Sequence, residues 1–314
     1  MLRSCRGMKT LASGAAASTF WAFRHHTSDA VDRWGPPWLP GNSEGPVYAR
    51  CGGDGDGAVV LLHGLVSSGD LFGSAYDQLA ATHRVVVPDL LGFGRSLDES
   101  RATFTVANHL DALDQLAERA GLFGRRWTIG AHSMGSALAL HWAARHRDRV
   151  ERVICWGAPI YPSPDAARRR ISGSAMTRLF VLDSRWAERA CAISCRHRSA
   201  GGWLTAAVQP GLPVPVARAV SLHTWPAYRD AMRHLVIETD WKQLIGDVAD
   251  HGIQVRLTYG SDDKVGDHTY ADAMSRTISG DPVTLVPGAD HDLPMSQPDS
   301  CLAEITLGGD RAGS

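Results

Sequence analysis

Ser133 lies in the run Gly130-Ala-His-Ser-Met-Gly135, the setting in this chain that points most directly to covalent chemistry. A serine hydroxyl is a weak nucleophile until a base takes its proton, and a histidine oriented by a carboxylate is the common way to supply that base. The chain offers 14 histidines for the task. His132 abuts the serine, His63 ends an apolar run, and His291 lies late in Val286-Pro-Gly-Ala-Asp-His-Asp-Leu-Pro294. The turn Tyr259-Gly-Ser-Asp-Asp-Lys-Val265 supplies two candidate carboxylates, Asp262 and Asp263. The bland alternative for Ser133 is an ordinary helix N-cap.

Such side chains, far apart in sequence, need a rigid frame to meet. Ala58–Leu62 and Arg84–Pro88 are continuous apolar runs of strand length, as expected of parallel strands buried on both faces. Helical spacing follows each, at Tyr76–Ala81 and at Val106–Ala120, where Val106, Leu110, Leu113, Leu116 and Ala117 share a stripe. Arg126–Ala131, Gly135–Arg145 and Val150–Trp156 continue the strand, helix, strand rhythm. It predicts an α/β fold with a doubly wound, mostly parallel sheet. Residues 161 to about 235 interrupt it with a proline-punctuated helical stretch, and it resumes with a strand at Ile253–Tyr259, a helix at His268–Ile278, a strand at Val283–Val286 and a helix at Pro298–Ile305. Ser133 therefore falls where a strand ends and a helix opens, the position of a nucleophile elbow.

The 314 residues permit two domains or one large domain with an insertion. The reading favours the second: core at 36–160 and 236–314, helical cap at 161–235, and a poorly ordered amino-terminal extension at 1–35. A net charge of -1 gives no general attraction to nucleic acid. That neutrality conceals two opposed parts, because the insertion holds 11 arginines, no lysine and four acids, a balance of +7, leaving -8 for the rest. Six scattered cysteines do not form a disulfide framework, so a reducing, cytoplasmic setting is expected. Secretion is the alternative if residues 1–25 act as a weak signal peptide, and Met8 is a second candidate start. No run is long and apolar enough for a transmembrane segment.

The chain resembles the α/β-hydrolase fold superfamily, from about Pro46 to Leu307, through four motifs in order: His63-Gly64, Pro88-Asp-Leu-Leu-Gly-Phe-Gly-Arg-Ser96, Ala131-His-Ser-Met-Gly135, and a late acid and histidine. Ala131 stands where that family has a glycine, which adds one methyl to the elbow. The resemblance implies Ser133 as nucleophile, His291 as base and Asp263, three residues after Gly260, as the orienting acid. It leaves Asp262 as a turn residue and aims the side chain of His132 away from the reacting groups. It also implies an oxyanion hole from the backbone amides of Leu65 and Met134, with no cofactor.

The expected function is then a serine hydrolase, esterase-like, cleaving a carboxylic ester or related acyl bond of a small molecule through an acyl-enzyme. The same triad would also serve an acyltransferase, a thioesterase or a cyclisation enzyme. Carbon-carbon bond hydrolases of this fold often carry tryptophan after the histidine, where this chain has Asp292. A non-catalytic binding protein on this scaffold is the reading from another class. The arginines would favour an anionic substrate if they face the site; otherwise they lie on solvated faces and pair with the acidic core. Cys191, Cys195 and His197 are an incomplete metal set, so no metal is expected. Trp186, Trp203, Trp225 and Trp241 are expected to pack in the core and cap, with one or two lining a pocket. Oligomeric state and pocket residues are not legible at this level.

Overall fold

Valine-rich strands with both faces covered set the centre of the molecule. A computed structural model of the chain describes residues 33–172 and 185–306. Its eight strands are β1 (Gly41–Asn42), β2 (Ala49–Gly52), β3 (Gly57–Leu62), β4 (Arg84–Pro88), β5 (Arg126–His132), β6 (Val150–Trp156), β7 (Gln254–Gly260) and β8 (Thr284–Val286). They form one sheet in the order β1-β2-β4-β3-β5-β6-β7-β8. Pairing is antiparallel for β1 with β2 and for β2 with β4, and parallel from β4 through β8. Parallel strands end on the same edge, so the loops after β3, β4, β5, β6, β7 and β8 gather there, where sites form in doubly wound sheets. All five apolar positions from Ala58 to Leu62 are at most 1% exposed, which is why that run carries no alternation.

Helices cover both faces. Val106–Arg119 begins in a capping box formed by Thr105 and Asn108, and its stripe Leu110, Leu113, Leu116 and Ala117 is buried. Gly135–Arg145 is buried along most of its length, and its Trp142 packs against Trp127 of β5 with ring centroids 4.8 Å apart. The helical spacing at Tyr76–Ala81 is realised differently from expectation, as a single α-turn at Ser74–Asp77 running into a 3-10 turn at Gln78–Ala81. Asp77 explains the short turn, because its carboxylate accepts from the amides of Trp38 and Leu39 and pairs with buried Arg50.

Between β6 and β7 the described residues contain helices at Pro164–Ile171, Arg185–Arg196, Arg198–Val208, Val214–Ala219 and Trp225–Ala231, a π-helical turn at Met232–Ile237, and no strand longer than an isolated bridge. This stretch is tied to the loops at the carboxyl ends of the strands. Gly94 N–H donates to Leu222 O at 2.8 Å, Phe104 N–H to Asp230 Oδ2 at 2.8 Å, Arg170 Nε to Lys264 O at 2.9 Å, and Arg198 pairs with Glu99.

Of the four tryptophans expected to pack inside, Trp241 is buried and Trp225 stacks on Tyr228. Trp203 departs from expectation, being 54% exposed, because it sits on the outward side of its helix. The side chain of Trp186, residues 1–32 of the expected amino-terminal extension at 1–35, the signal-peptide reading and the start at Met8 lie outside the described residues. Among the described residues no helix is long and apolar enough to cross a membrane.

Candidate active site

β5 delivers its chain to Ser133 in a left-handed conformation, φ 52°. Non-glycine residues adopt that region at a cost, so it persists only where the surroundings hold it. Here Ser133 N–H donates to Trp156 O at 2.8 Å on the neighbouring strand, and Ser136 N–H closes the turn onto Ser133 O at 2.9 Å. Gly135 lets the turn pass, since a Cβ there would lie 2.6 Å from His63 O and 2.7 Å from Leu62 O. Ala131 is fully buried and its methyl is accommodated without displacing the strand pairing at Leu62.

Three side chains from three loops converge. Ser133 Oγ lies 3.0 Å from His291 Nε2, and His291 Nδ1 lies 2.9 Å from Asp263 Oδ2. Val265 N–H donates to the other carboxylate oxygen, Oδ1, at 2.7 Å. An ionised Asp263 can only accept, so it fixes the proton on His291 Nδ1 and leaves Nε2 to accept from the serine hydroxyl. All three residues are at most 9% exposed. Asp262, one residue earlier, is exposed and belongs to the turn.

Burial disfavours a charged His291, but the Asp263 charge and hydrogen bond outweigh it and hold the imidazole pKa above its ordinary value. Burial likewise raises Asp263, and the His291 charge with the hydrogen bonds from His291 and Val265 overcomes it, so the carboxyl pKa falls below the usual range. Asp292 follows His291 directly. Burial and neighbouring Asp290 push its carboxyl up to about 6 against the opposing pull of His291.

His132 requires a correction. Its ring does not point away from the reacting groups: Nε2 lies 2.9 Å from His291 O, and the two ring centroids are 4.8 Å apart. Burial and the His291 charge lower its pKa to about 3, so it stays neutral and Nε2–H donates to that carbonyl. No signal in the sequence connects residues 159 positions apart. His63 accepts from Leu90 N–H at 2.8 Å through Nε2 and donates through Nδ1 to Gly64 O at 2.7 Å, which ties the loops after β3 and β4 together. The Gly92–Ser96 segment is a structural turn on Asp89, which accepts from the amides of Gly69 and Arg95 at 2.7 Å each.

A Cβ on Gly64 would touch Ser133 Cβ at 3.0 Å, so the turn after β3 runs directly against the elbow. Val66, two residues on, also has a left-handed φ of 50°. Among the described residues, the N–H groups of Leu65 and Met134 donate to no carbonyl in the turns, loops and caps, while the Met134 carbonyl accepts from Ala137 N–H at 3.2 Å. Such amides are what an oxyanion hole requires. Cys191 and Cys195 bring their sulfurs to 3.5 Å, with His223 rather than His197 as the adjoining imidazole. No group among the described residues has the makings of a metal centre.

The sequence matches the family model described as alpha/beta hydrolase fold over residues 57–177. It is 23% identical over 254 residues to "Probable lysophospholipase BODYGUARD 4" of Arabidopsis thaliana, covering 76% of this chain and 60% of that protein. A haloalkane dehalogenase of Sphingobium indicum is 36% identical over 113 residues, 35% of this chain and 38% of that one. The chain thus spans less than two thirds of either curated relative. Among solved structures, a thermophilic esterase from Thermogutta terrifontis superposes with a TM-score of 0.60 at 22% identity, covering 83% of this chain and 93% of its own. With the sheet order, the strand-turn-helix at Ser133 and these likenesses in hand, the chain has the α/β-hydrolase fold.

Proposed function

We propose that this protein is a serine hydrolase that cleaves a carboxylic ester or related acyl bond of a small molecule. The observation that carries the reading is the unbroken line from Ser133 Oγ through His291 to Asp263. In the proposed cycle His291 Nε2 takes the Ser133 proton as Oγ attacks the carbonyl carbon. The resulting oxyanion is held by the amides of Leu65 and Met134, and His291 then gives the proton to the departing alcohol. Water, activated by the same nitrogen, attacks the acyl-enzyme and releases the acid. The helical stretch 161–235 acts as a cap over the carboxyl edge of the sheet.

The relatives' names span lysophospholipase, dehalogenase and esterase chemistry. A serine at the elbow, with a base positioned to deprotonate it, supports acyl chemistry over displacement at saturated carbon, where an aspartate nucleophile needs no such base. Four described arginines of the insertion, Arg168, Arg198, Arg229 and Arg233, make ion pairs with Asp165, Glu99, Asp230 and Glu238. Those pairs, with Asp292 beside the base, favour a neutral acyl group in the pocket over an anionic one. A neutral ester should therefore exceed its carboxylate-bearing analogue in kcat/KM.

A fluorophosphonate probe tests the central claim. The native chain should be labelled stoichiometrically and Ser133→Ala not at all, while a panel of esters of graded chain length reads turnover. Absence of serine-dependent labelling in folded protein would overturn the assignment and favour a binding role.

The pH profile follows from the electrostatics. His291 must be neutral to act as base, so kcat/KM is lost as pH falls through its folded pKa, which lies above the ordinary value of about 6.5. Asp292→Asn removes a negative charge that favours the imidazolium, so the acidic limb should move to lower pH. An upward movement would contradict this sign.

Gly157 gives a steric prediction. Its φ is 61°, and a Cβ there would lie 3.0 Å from His291 Nδ1 and 3.1 Å from Asp263 Oδ2. Gly157→Ala should cost about 1–2 kcal/mol of stability and, by displacing the base from Ser133, lower kcat by about 100-fold. A thermal melt and a steady-state assay on one sample separate the two effects.

A further inference from the structure

The described residues expose eight large hydrophobic side chains, and five of them, Ile193, Trp203, Leu204, Val208 and Val214, fall within one 22-residue stretch of the insertion. The helix Arg198–Val208 is inverted with respect to a surface helix of a globular protein. Ala200, Trp203, Leu204, Ala207 and Val208, spaced as one helical face, point to solvent, Leu204 at 57% exposure. Its buried side is made of Gly202 and Thr205. Gly202 is what lets the helix lie close on Val214–Ala219, since a Cβ would sit 3.3 Å from the Arg218 backbone. Ile193 from the preceding helix and Val214 from the following one add to the outward apolar side.

The surrounding charge is of one sign. From Arg189 to Arg229 the chain carries five arginines and not one aspartate or glutamate. The Arg218 guanidinium lies 4.8 Å from the centroid of the Trp203 ring, so this exposed aromatic carries a cation on its face. We propose that this face of residues 193–218 docks on the surface of a bilayer containing anionic phospholipid, with Trp203, Leu204 and Val208 entering the headgroup boundary and the exposed Arg196 and Arg218 meeting phosphates.

Three observations select that occupant. The charged side chains within residues 189–229 are all cations, of which Arg198 and Arg229 pair with Glu99 and Asp230 while Arg196 and Arg218 flank the apolar face, a pattern shared with interfacial helices that bind anionic lipid. A second copy of the chain in a two-fold contact would set arginine-rich face against arginine-rich face, which repels. The insertion balances at +7 and the remainder at -8, so an anionic plane attracts this side and repels the other, giving one orientation. The inference does not depend on Ser133 acting as a nucleophile.

Flotation of the full chain with vesicles tests it. The native protein should float with vesicles mixing phosphatidylcholine and phosphatidylglycerol, remain unbound with phosphatidylcholine alone, and be released by raised salt. Leu204→Glu and Trp203→Glu should each weaken binding at least about tenfold, since each trades an inserted apolar group for an anion. Turnover of a soluble short-chain ester and the melting temperature of Leu204→Glu should match the native protein, excluding misfolding. Failure of the native chain to float with the mixed vesicles, or equal flotation of Leu204→Glu, overturns the proposal. So does concentration-dependent self-association, read by sedimentation velocity, that Leu204→Glu abolishes, since the face would then belong to a second copy.

Discussion

Ser133→Ala is expected to lower kcat for ester hydrolysis by about a millionfold, leaving only the rate that a preformed oxyanion site and substrate binding give without a nucleophile. The change removes one oxygen, and with it the hydrogen bond to His291 Nε2 at 3.0 Å. Backbone contacts that hold the elbow, Ser133 N–H to Trp156 O and Ser136 N–H to Ser133 O, do not involve the side chain. Stability should therefore move by no more than about 1 kcal/mol, the net worth of one hydrogen bond. A variant that melts with the native protein but does not turn over assigns the loss to chemistry. A kcat within tenfold of native would remove Ser133 as nucleophile.

Asp263→Asn should cost about 10⁴ in kcat, with stability less affected. The aspartate can only accept from His291 Nδ1, so Nε2 is left as the acceptor that deprotonation needs. An asparagine amide can donate to Nδ1 instead, which puts the ring proton on Nε2 and turns the base toward the serine in its useless tautomer. The same substitution removes the charge that raises the His291 pKa, so whatever activity remains should have its acidic limb at lower pH. Asp262→Asn is the matched control: that carboxylate is exposed and should change kcat by less than a factor of about two. A large loss at Asp262 with little at Asp263 would exchange the two assignments.

The apolar runs made most of the sheet legible. Arg84–Pro88, Val150–Trp156 and Gly135–Arg145 fall where their periodicity places them, because strands buried on both faces and a helix buried nearly all round leave an uninterrupted apolar signature. β1 and β2 are not legible: two and four residues long, and antiparallel at the sheet's edge, they carry no pattern of their own, β2 existing through its pairing with β4 and β1 through its pairing with β2. The helix Trp241–Ala249 was missed although a signal was present, in the N-cap Asp240 and in Trp241, Leu244, Ile245 and Val248 at helical spacing. Ser133, His291 and Asp263 could be named because a strand-turn-helix and two loops after strands carry them. The contact of His132 with the His291 loop could not, since only the folded sheet brings those segments together.

The bond between Ser133 and His291 spans 158 residues, and the parallel pairing of β6 with β7 joins Val153 to Val255 across the whole insertion. Closing so long a loop must precede any reward from the contacts it makes, which places this pairing among the slow steps of folding. The line from Ser133 to Asp263 is therefore expected to assemble last, after most helices have formed locally. On dilution from denaturant, esterase activity should return more slowly than the far-ultraviolet signal of the helices, which makes turnover a clock for completion of the sheet.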